Sequence, residues 1–224
     1  MATALEAPVE DIRLRMDRMY RPQKYIYDLT RKYYLLGRDR MLAGLDASTE
    51  STVLEVGCGT GRNLVLASRL YPGARLFGLD ISSEMLRSAS ASLAREGIAP
   101  RTRLAEADAT DFDAHALFGR DCFDRVFISY ALSMIPGWER AIGEALRCLA
   151  PGGSLHIVDF GSQERLPGWF RAALRGWLAK FHVAPRNTLG AELQRQANAA
   201  GMSLEFAPLY RGYAVHAVVR RTAR

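Results

Sequence analysis

The sequence predicts an α/β fold, a mostly parallel seven-stranded sheet with helices on both faces and a C-terminal antiparallel hairpin. Three observations carry that prediction. Short apolar runs alternate with runs of helical period, the pattern of βαβ units. The first such run passes into Gly57-Cys58-Gly59-Thr60-Gly61 and then into a helical stretch, a strand-turn-helix suited to a ligand. The chain has 224 residues, 49% of them hydrophobic, which suits one complete α/β core and little else.

The elements follow in order. Thr52 to Val56 opens the sheet and Asn63 to Leu70 is a helix. Arg75 to Leu79 is the next strand and Ser83 to Glu96 the next helix, which Pro100 separates from the strand Thr102 to Glu106. Asp124 to Ile128 precedes a helix from Trp138 to Leu149, closed by a Pro151-Gly152-Gly153 turn, and Ser154 to Phe160 is the fifth strand. Ser203 to Phe206 and Ala214 to Arg220 read as the closing hairpin. Residues 46–224 form this sheet domain, with an amphipathic insertion at 161–187; residues 1–45 form a helical cap over substrate and cofactor, with a long helix across 11–44. No internal repeat or low-complexity tract interrupts the chain.

The glycine loop carries the first functional signal. Glycine lacks Cβ, takes positive φ at little cost and lets a flat ligand lie against bare backbone. Its spacing, Gly-x-Gly-x-Gly, departs from the dinucleotide fingerprint Gly-x-Gly-x-x-Gly, whose third glycine packs helix on strand beside a pyrophosphate. The second strand ends at Asp80, where an acidic side chain accepts ribose hydroxyls. Loop and carboxylate together indicate a nucleoside.

Glu55, Gly57, Gly59, Gly61 and Asp80 resemble the first motifs of the class I S-adenosylmethionine-dependent methyltransferases. Ala107-Asp108-Ala109 sits where that family sets an acidic residue against adenine. Phe123 to Tyr130 matches its fourth strand, and Leu149-Ala150-Pro151-Gly152-Gly153 the turn before its fifth. The resemblance implies a Rossmann-like fold, S-adenosylmethionine as cofactor and S-adenosylhomocysteine as product. It assigns cofactor contacts to Glu55, Gly57, Cys58, Gly59 and Gly61, to Asp80, Ile81 and Met85, and to Asp108, Ala109 and Ser129. Tyr130, directly after the fourth strand, takes the family's place for touching substrate or cofactor.

The substrate is sought outside this core. The stretch Tyr25-Ile26-Tyr27-Asp28-Leu29-Thr30-Arg31-Lys32-Tyr33-Tyr34-Leu35-Leu36-Gly37-Arg38-Asp39-Arg40 resembles the N-terminal segment of the bacterial betaine-lipid N-methyltransferases, which trimethylate diacylglyceryl homoserine. The run Gly78 to Leu86 and the pair Arg62-Asn63 look like that family too. This resemblance implies a lipid head-group substrate and a partner enzyme that supplies diacylglyceryl homoserine. It makes Tyr25 a catalytic candidate and Tyr27 a cofactor contact. Arg38 and Arg31 suit a carboxylate, either of the cofactor's methionine part or of the homoserine head group, and the resemblance to small-molecule methyltransferases, which set a basic residue of the N-terminal helices near the cofactor carboxylate, implies that role for Arg38.

The insertion places Trp169, Phe170, Leu174, Trp177, Leu178 and Phe181 on one face of a helix, ringed by Arg165, Arg171, Arg175, Lys180 and Arg186 against a single acid, Glu164. A basic amphipathic helix with Trp and Phe has the composition of a membrane-interface segment, and equally of a lid over the site. The two roles are compatible.

The net charge of +6 is shared by nucleic-acid and lipid-surface binders alike. After the fourth strand the sequence reads Ser129-Tyr130-Ala131-Leu132-Ser133, without the Asn/Asp-Pro-Pro-aromatic signature of base-methylating enzymes, and it holds no RNA-binding module. No nucleic-acid partner is therefore expected. No window reaches the apolar length of a membrane span, and Met1 to Glu6 lacks the character of a signal peptide. The expected location is the cytoplasm, peripheral to the inner face of the membrane. Cys58, Cys122 and Cys148 are scattered and read as buried, reduced thiols. No cluster has metal-ligand spacing, so no metal is expected.

An amine must be neutral to accept a methyl group, and an α-amino group with a pKa of about 8 is partly protonated at neutral pH. The site needs a proton sink and a surface tolerant of growing positive charge, for which aromatic faces serve. Asp159, at the end of the fifth strand, is the carboxylate placed to hold the amine. The sequence thus points to a lipid-amine N-methyltransferase of betaine-lipid formation, with phosphatidylethanolamine or a quinone precursor as alternative acceptors and RNA a weaker one.

Overall fold

The computed structural model describes residues 35–181 and 183–223. The strands are β1 (Thr52–Val56), β2 (Arg75–Asp80), β3 (Thr102–Glu106), β4 (Phe123–Ser129), β5 (Leu149–Phe160), β6 (Ser203–Leu209) and β7 (Ala214–Arg220). The helices are α1 (Arg38–Ala43), α2 (Arg62–Leu70), α3 (Ser83–Arg95), α4 (Ala114–Phe118), α5 (Trp138–Arg147), α6 (Gly168–Ala179) and α7 (Leu189–Ala199). Every residue of β1 is buried, because helices cover both faces of the sheet and a strand between them has no solvent side. Successive β1 side chains serve opposite layers. Leu54 and Val56 join a core with Ile142 of α5 and Leu193 of α7. Val53 joins a second core with Met41 of α1, Leu64 of α2 and Leu93 of α3.

The strand order is β3-β2-β1-β4-β5-β7-β6. The five strands from β3 to β5 are parallel neighbours, while β7 runs antiparallel to both β5 and β6. The expected mostly parallel sheet with an antiparallel C-terminal hairpin is therefore present. The order reverses between β1 and β4, which opens a crevice outside their carboxyl ends.

Three expectations need correction. The helix predicted to reach Leu149 ends at Arg147, and Leu149 already pairs with Phe123 in the sheet. Pro151-Gly152-Gly153 is accordingly a bulge inside β5, where the register jumps from Leu149 opposite Phe123 to Ser154 opposite Arg125. The continuous helix expected across 11–44 is broken at Gly37, whose φ of +86° precedes the short α1; residues 11–34 lie outside the described residues. Cys122 is half-buried, whereas Cys58 and Cys148 are buried as expected. Beyond the expected elements the fold adds α7, whose Leu189, Leu193 and Ala197 recur at four-residue spacing on its buried side.

Gly78 in the middle of β2 explains how closely α2 approaches the sheet. A Cβ there would lie 2.8 Å from Leu64 Cδ1 and 3.0 Å from both Cβ and Sγ of Cys58. Gly78→Ala is expected to destabilise the fold by about 1–3 kcal/mol, the usual range for overpacking, read as a lower urea midpoint with unchanged slope.

Candidate active site

The loops after β1 and β4 meet in the crevice. Gly57 has a φ of +75°, and a Cβ on it would stand 2.8 Å from the Cβ of Ala131. Gly61, also at +75°, opens α2, and a Cβ there would come within 3.0 Å of Ala89 Cβ on α3. Both positions require glycine for handedness and for space. Asp80 holds the loop from below: Oδ2 accepts from the Gly59 N–H at 2.8 Å and Oδ1 from the Ser82 N–H at 3.0 Å. Glu55 Oε1 accepts from Asn63 Nδ2 at 2.7 Å, which locks β1 to the first turn of α2. In the sequence Asn63 marks a helix start and part of a resemblance, and nothing local signals its tie to Glu55.

Ser82 caps α3, accepting from the Met85 N–H at 3.3 Å, so Ile81 and the buried Met85 flank Asp80. Asp108 Oδ1 accepts from both the N–H and the hydroxyl of Thr110 at 2.8 Å, a local turn that stiffens the loop after β3 and buries Ala109. Ala107 N–H donates to the Asp80 carbonyl at 3.1 Å, which joins the two acidic loops. Cys58 is buried, and that burial, reinforced by Asp80 and Glu55, pushes its thiol well above the usual range. It packs as a neutral thiol against Gly78.

On the other wall, Tyr130 follows β4 with a φ of +54°, an uncommon conformation for a residue with a side chain. Its ring is buried edge-on against Phe160, centroids 4.8 Å apart, and its hydroxyl donates to the Leu36 carbonyl at 2.5 Å. Burial, with Asp159 nearby, pushes the phenol far above its ordinary pKa, so Tyr130 is a neutral donor that pins the chain before α1 onto the sheet. Asp159 is 1% exposed; its oxygens accept from the Phe160 N–H at 2.7 Å and the Ser133 N–H at 3.2 Å. Burial raises its pKa to about 6, against the pull of those N–H groups and of Arg186. Arg186 donates to the carbonyls of Leu132 at 3.0 Å and Ile135 at 3.0 Å, so it holds the loop after β4 as well. In the sequence it stood only among the cations around the insertion.

Arg38 is 4% exposed, and among the described residues its one hydrogen bond goes to the exposed Asp39 at 3.3 Å. It lies within electrostatic reach of Tyr130. The structure thus gathers Glu55, Gly57, Cys58, Gly59, Gly61, Asp80, Ile81, Met85, Asp108 and Ala109 around the first loops. It sets Ser129, Tyr130, Asp159 and Arg38 along the opposite wall. Tyr25 and Tyr27 lie outside the described residues. No group of three or more His, Cys, Asp or Glu residues is gathered for a metal among the described ones.

This wall-and-cradle arrangement coincides with a family match: residues 53–153 match the model of a methyltransferase domain. These residues form a class I methyltransferase domain. A phosphatidylethanolamine N-methyltransferase of Cereibacter sphaeroides is 35% identical over 138 residues, 62% of this chain and 61% of its own length. A demethylmenaquinone methyltransferase of Thermobifida fusca is 32% identical over 166 residues, 69% of this chain and 66% of its own. The chain thus spans somewhat under two thirds of these curated relatives. In fold, the chain superposes on phospholethanolamine N-methyltransferase 2 of Haemonchus contortus, solved with phosphomonomethylethanolamine and S-adenosylhomocysteine. The TM-score is 0.72 at 15% identity, over 95% of this chain and 60% of that one.

The cradle fits S-adenosylmethionine. Gly57 and Gly61 leave open the space that a Cβ would fill, Asp80 sets its carboxylate beneath the loop, and Arg38, on the opposite wall, is a buried cation whose side-chain hydrogen bond among the described residues goes to a carboxylate at the surface.

The insertion beside the methyltransferase domain divides its apolar stripe. Leu178 is buried, Leu174, Trp177 and Phe181 are half-buried, and Trp169 is 76% exposed at the start of α6. The C-terminal half of α6 packs on the core while the N-terminal half projects. No helix of the described residues is long and apolar enough to cross a membrane.

Proposed function

We propose that the protein transfers methyl groups from S-adenosylmethionine to the amino group of a lipid head group, and specifically that it converts diacylglyceryl homoserine to the trimethylated betaine lipid. One observation carries the reading: a buried carboxylate, Asp159, with its pKa raised to about 6, lies beside an aromatic wall and across the crevice from a cofactor cradle. That pairing suits an amine that must lose a proton and then carry positive charge. The resemblance of Tyr25 to Arg40 to the betaine-lipid enzymes supports the homoserine head group. The identity to a phosphatidylethanolamine N-methyltransferase favours a second reading, in which phosphatidylethanolamine is the acceptor.

The cofactor supplies an electrophilic methyl on sulfur, so this chain has mainly to bind, orient and accept protons. Asp80 takes the ribose hydroxyls, Asp108 and Ala109 the adenine, with Ile81 and Met85 as apolar walls. Glu55 and Cys58 hold the loop in shape, and Ser129 borders it at the end of β4. Asp159 receives the proton of the ammonium and holds the charged product, while Tyr130 keeps the wall closed. Tyr25 serves the amine and Tyr27 the cofactor. The enzyme works as a peripheral protein at the cytoplasmic membrane face, on substrate made by a partner enzyme, and uses neither metal nor nucleic acid.

Arg38 is assigned to the methionine carboxylate, as a planar fork suits it. Arg38→Ala is expected to weaken S-adenosylhomocysteine binding at least tenfold, yet to leave methylthioadenosine, which lacks the carboxylate, unaffected in calorimetry. Equal losses for both ligands contradict the assignment. Incubation with methyl-labelled S-adenosylmethionine and, in turn, diacylglyceryl homoserine, phosphatidylethanolamine, demethylmenaquinone and RNA tests the acceptor. Label in the homoserine lipid is expected; label in RNA or quinone alone overturns the proposal.

A further inference from the structure

An open apolar groove of about 540 Å³ lies between Leu36, the inner side of α6 and the turn joining β6 to β7. Its walls are Leu166, Leu174 and Trp177 on one side, and Tyr210 and Tyr213 on the other. We propose that this groove receives one acyl chain of the lipid acceptor while the projecting start of α6 lies in the membrane interface. The inference rests on the lipid-amine reading above and extends it to the part of the substrate that does not react.

Four observations support this occupant. The volume falls within the range of about 300–1,000 Å³ usual for ligand pockets. Phe170 at 37% exposure and Tyr210 at 52% line the groove, and Trp169, at 76%, meets Phe170 with ring centroids 5.7 Å apart, large apolar surface that core packing leaves uncovered. Tyr210 and Arg211 both have positive φ, +49° and +60°, so the β6–β7 turn holds an uncommon conformation where Tyr210 enters the groove wall. The segment that carries one wall of the groove is cationic in sequence: Arg165, Arg171, Arg175 and Lys180 stand against Glu164 alone, which complements the anionic phosphates of a bilayer surface.

The groove is also connected to the chemistry. Tyr213, in its wall, meets Phe160 with ring centroids 6.0 Å apart, and Phe160 meets Tyr130 at 4.8 Å. Two aromatic contacts thus separate the groove from the wall that holds Asp159. A lipid whose head group sits at Asp159 can lay one chain on the far side of this aromatic cluster. The other candidate occupant is residues 1–34 of this chain, which enters the described fold at Leu35 beside the groove.

The test uses full-length protein and the double variant Leu166→Phe/Leu174→Phe, which narrows the groove from one wall. The first readout is the ratio of kcat/KM for long-chain over dihexanoyl diacylglyceryl homoserine. The variant is expected to lower that ratio at least tenfold. The second readout is independent of turnover: quenching of tryptophan fluorescence by bromostearoyl lysophosphatidylethanolamine below its micelle concentration. Wild type, with Trp177 in the groove wall, is expected to be quenched, and the variant at least tenfold less sensitively. Quenching without any lipid methylation retains the groove and removes the proposed reaction. Absence of quenching in wild type overturns the groove. A variant that melts earlier with its chain-length ratio unchanged also overturns it, assigning the groove to residues 1–34. Single Leu166→Phe and Leu174→Phe variants keep the test available if the double variant does not fold.

Discussion

Asp159→Asn is expected to raise the melting temperature at pH 7.5 and to lower turnover about a hundredfold in the same protein. The stability gain follows from linkage. Burial lifts the folded-state pKa to about 6, above an unfolded value near 4. A raised carboxyl pKa means that the contribution of the protonated group is fully present below the unfolded value and is lost as pH rises through about 6. At neutral pH the protein therefore maintains a buried charge at a cost of as much as about 3 kcal/mol. An amide retains the shape and one acceptor without the charge, so a gain of a few degrees is expected. The advantage should shrink towards zero by pH 4, because wild type is then protonated. Turnover falls because the amide accepts no proton, within the usual range for general acid–base groups. A neutral effect on turnover would remove Asp159 from the chemistry and leave it as a brace for Ser133 and Phe160.

The second large effect is on the cofactor. Asp80→Ala removes the acceptor for the Gly59 and Ser82 N–H groups together with the proposed partner of the ribose diol. Hydrogen bonds to a charged group contribute about 1.5–3 kcal/mol each, so affinity for S-adenosylhomocysteine should fall at least a hundredfold. Asp80→Asn, which keeps one acceptor, should fall between the two. Calorimetry measures this directly, and unchanged affinity in the alanine variant would take Asp80 out of the cofactor site. Circular dichroism of the apo variant separates this from unfolding.

The same residues indicate what sequence can convey. The glycine loop was legible because the requirements at Gly57 and Gly61, positive φ and absent Cβ, are met by one residue type, and Asp80 was legible through its place at the end of an apolar run. The parallel βαβ character followed from the alternation of elements and the hairpin from the two closing runs, while the strand order is seen only in the folded sheet. Pro151-Gly152-Gly153 has turn chemistry, and only pairing with β4 reveals that the strand continues on both sides of it. Gly37, read into the middle of a helix, instead starts one, because α1 docks where Tyr130 holds the Leu36 carbonyl, a contact 94 residues apart. The role of Arg186 depends likewise on a loop 54 and 51 residues earlier. Local pattern carries the cofactor side of this site, and long-range contact carries the acceptor side.

The acceptor side decides the function. The central claim is tested most directly by the mass of diacylglyceryl homoserine after incubation with the purified protein and S-adenosylmethionine. The account predicts a lipid heavier by whole methyl groups, borne on nitrogen, with none gained when Asp159 is asparagine at matched short incubation. A homoserine lipid of unchanged mass, beside a methylated quinone or RNA in the same reaction, would contradict it.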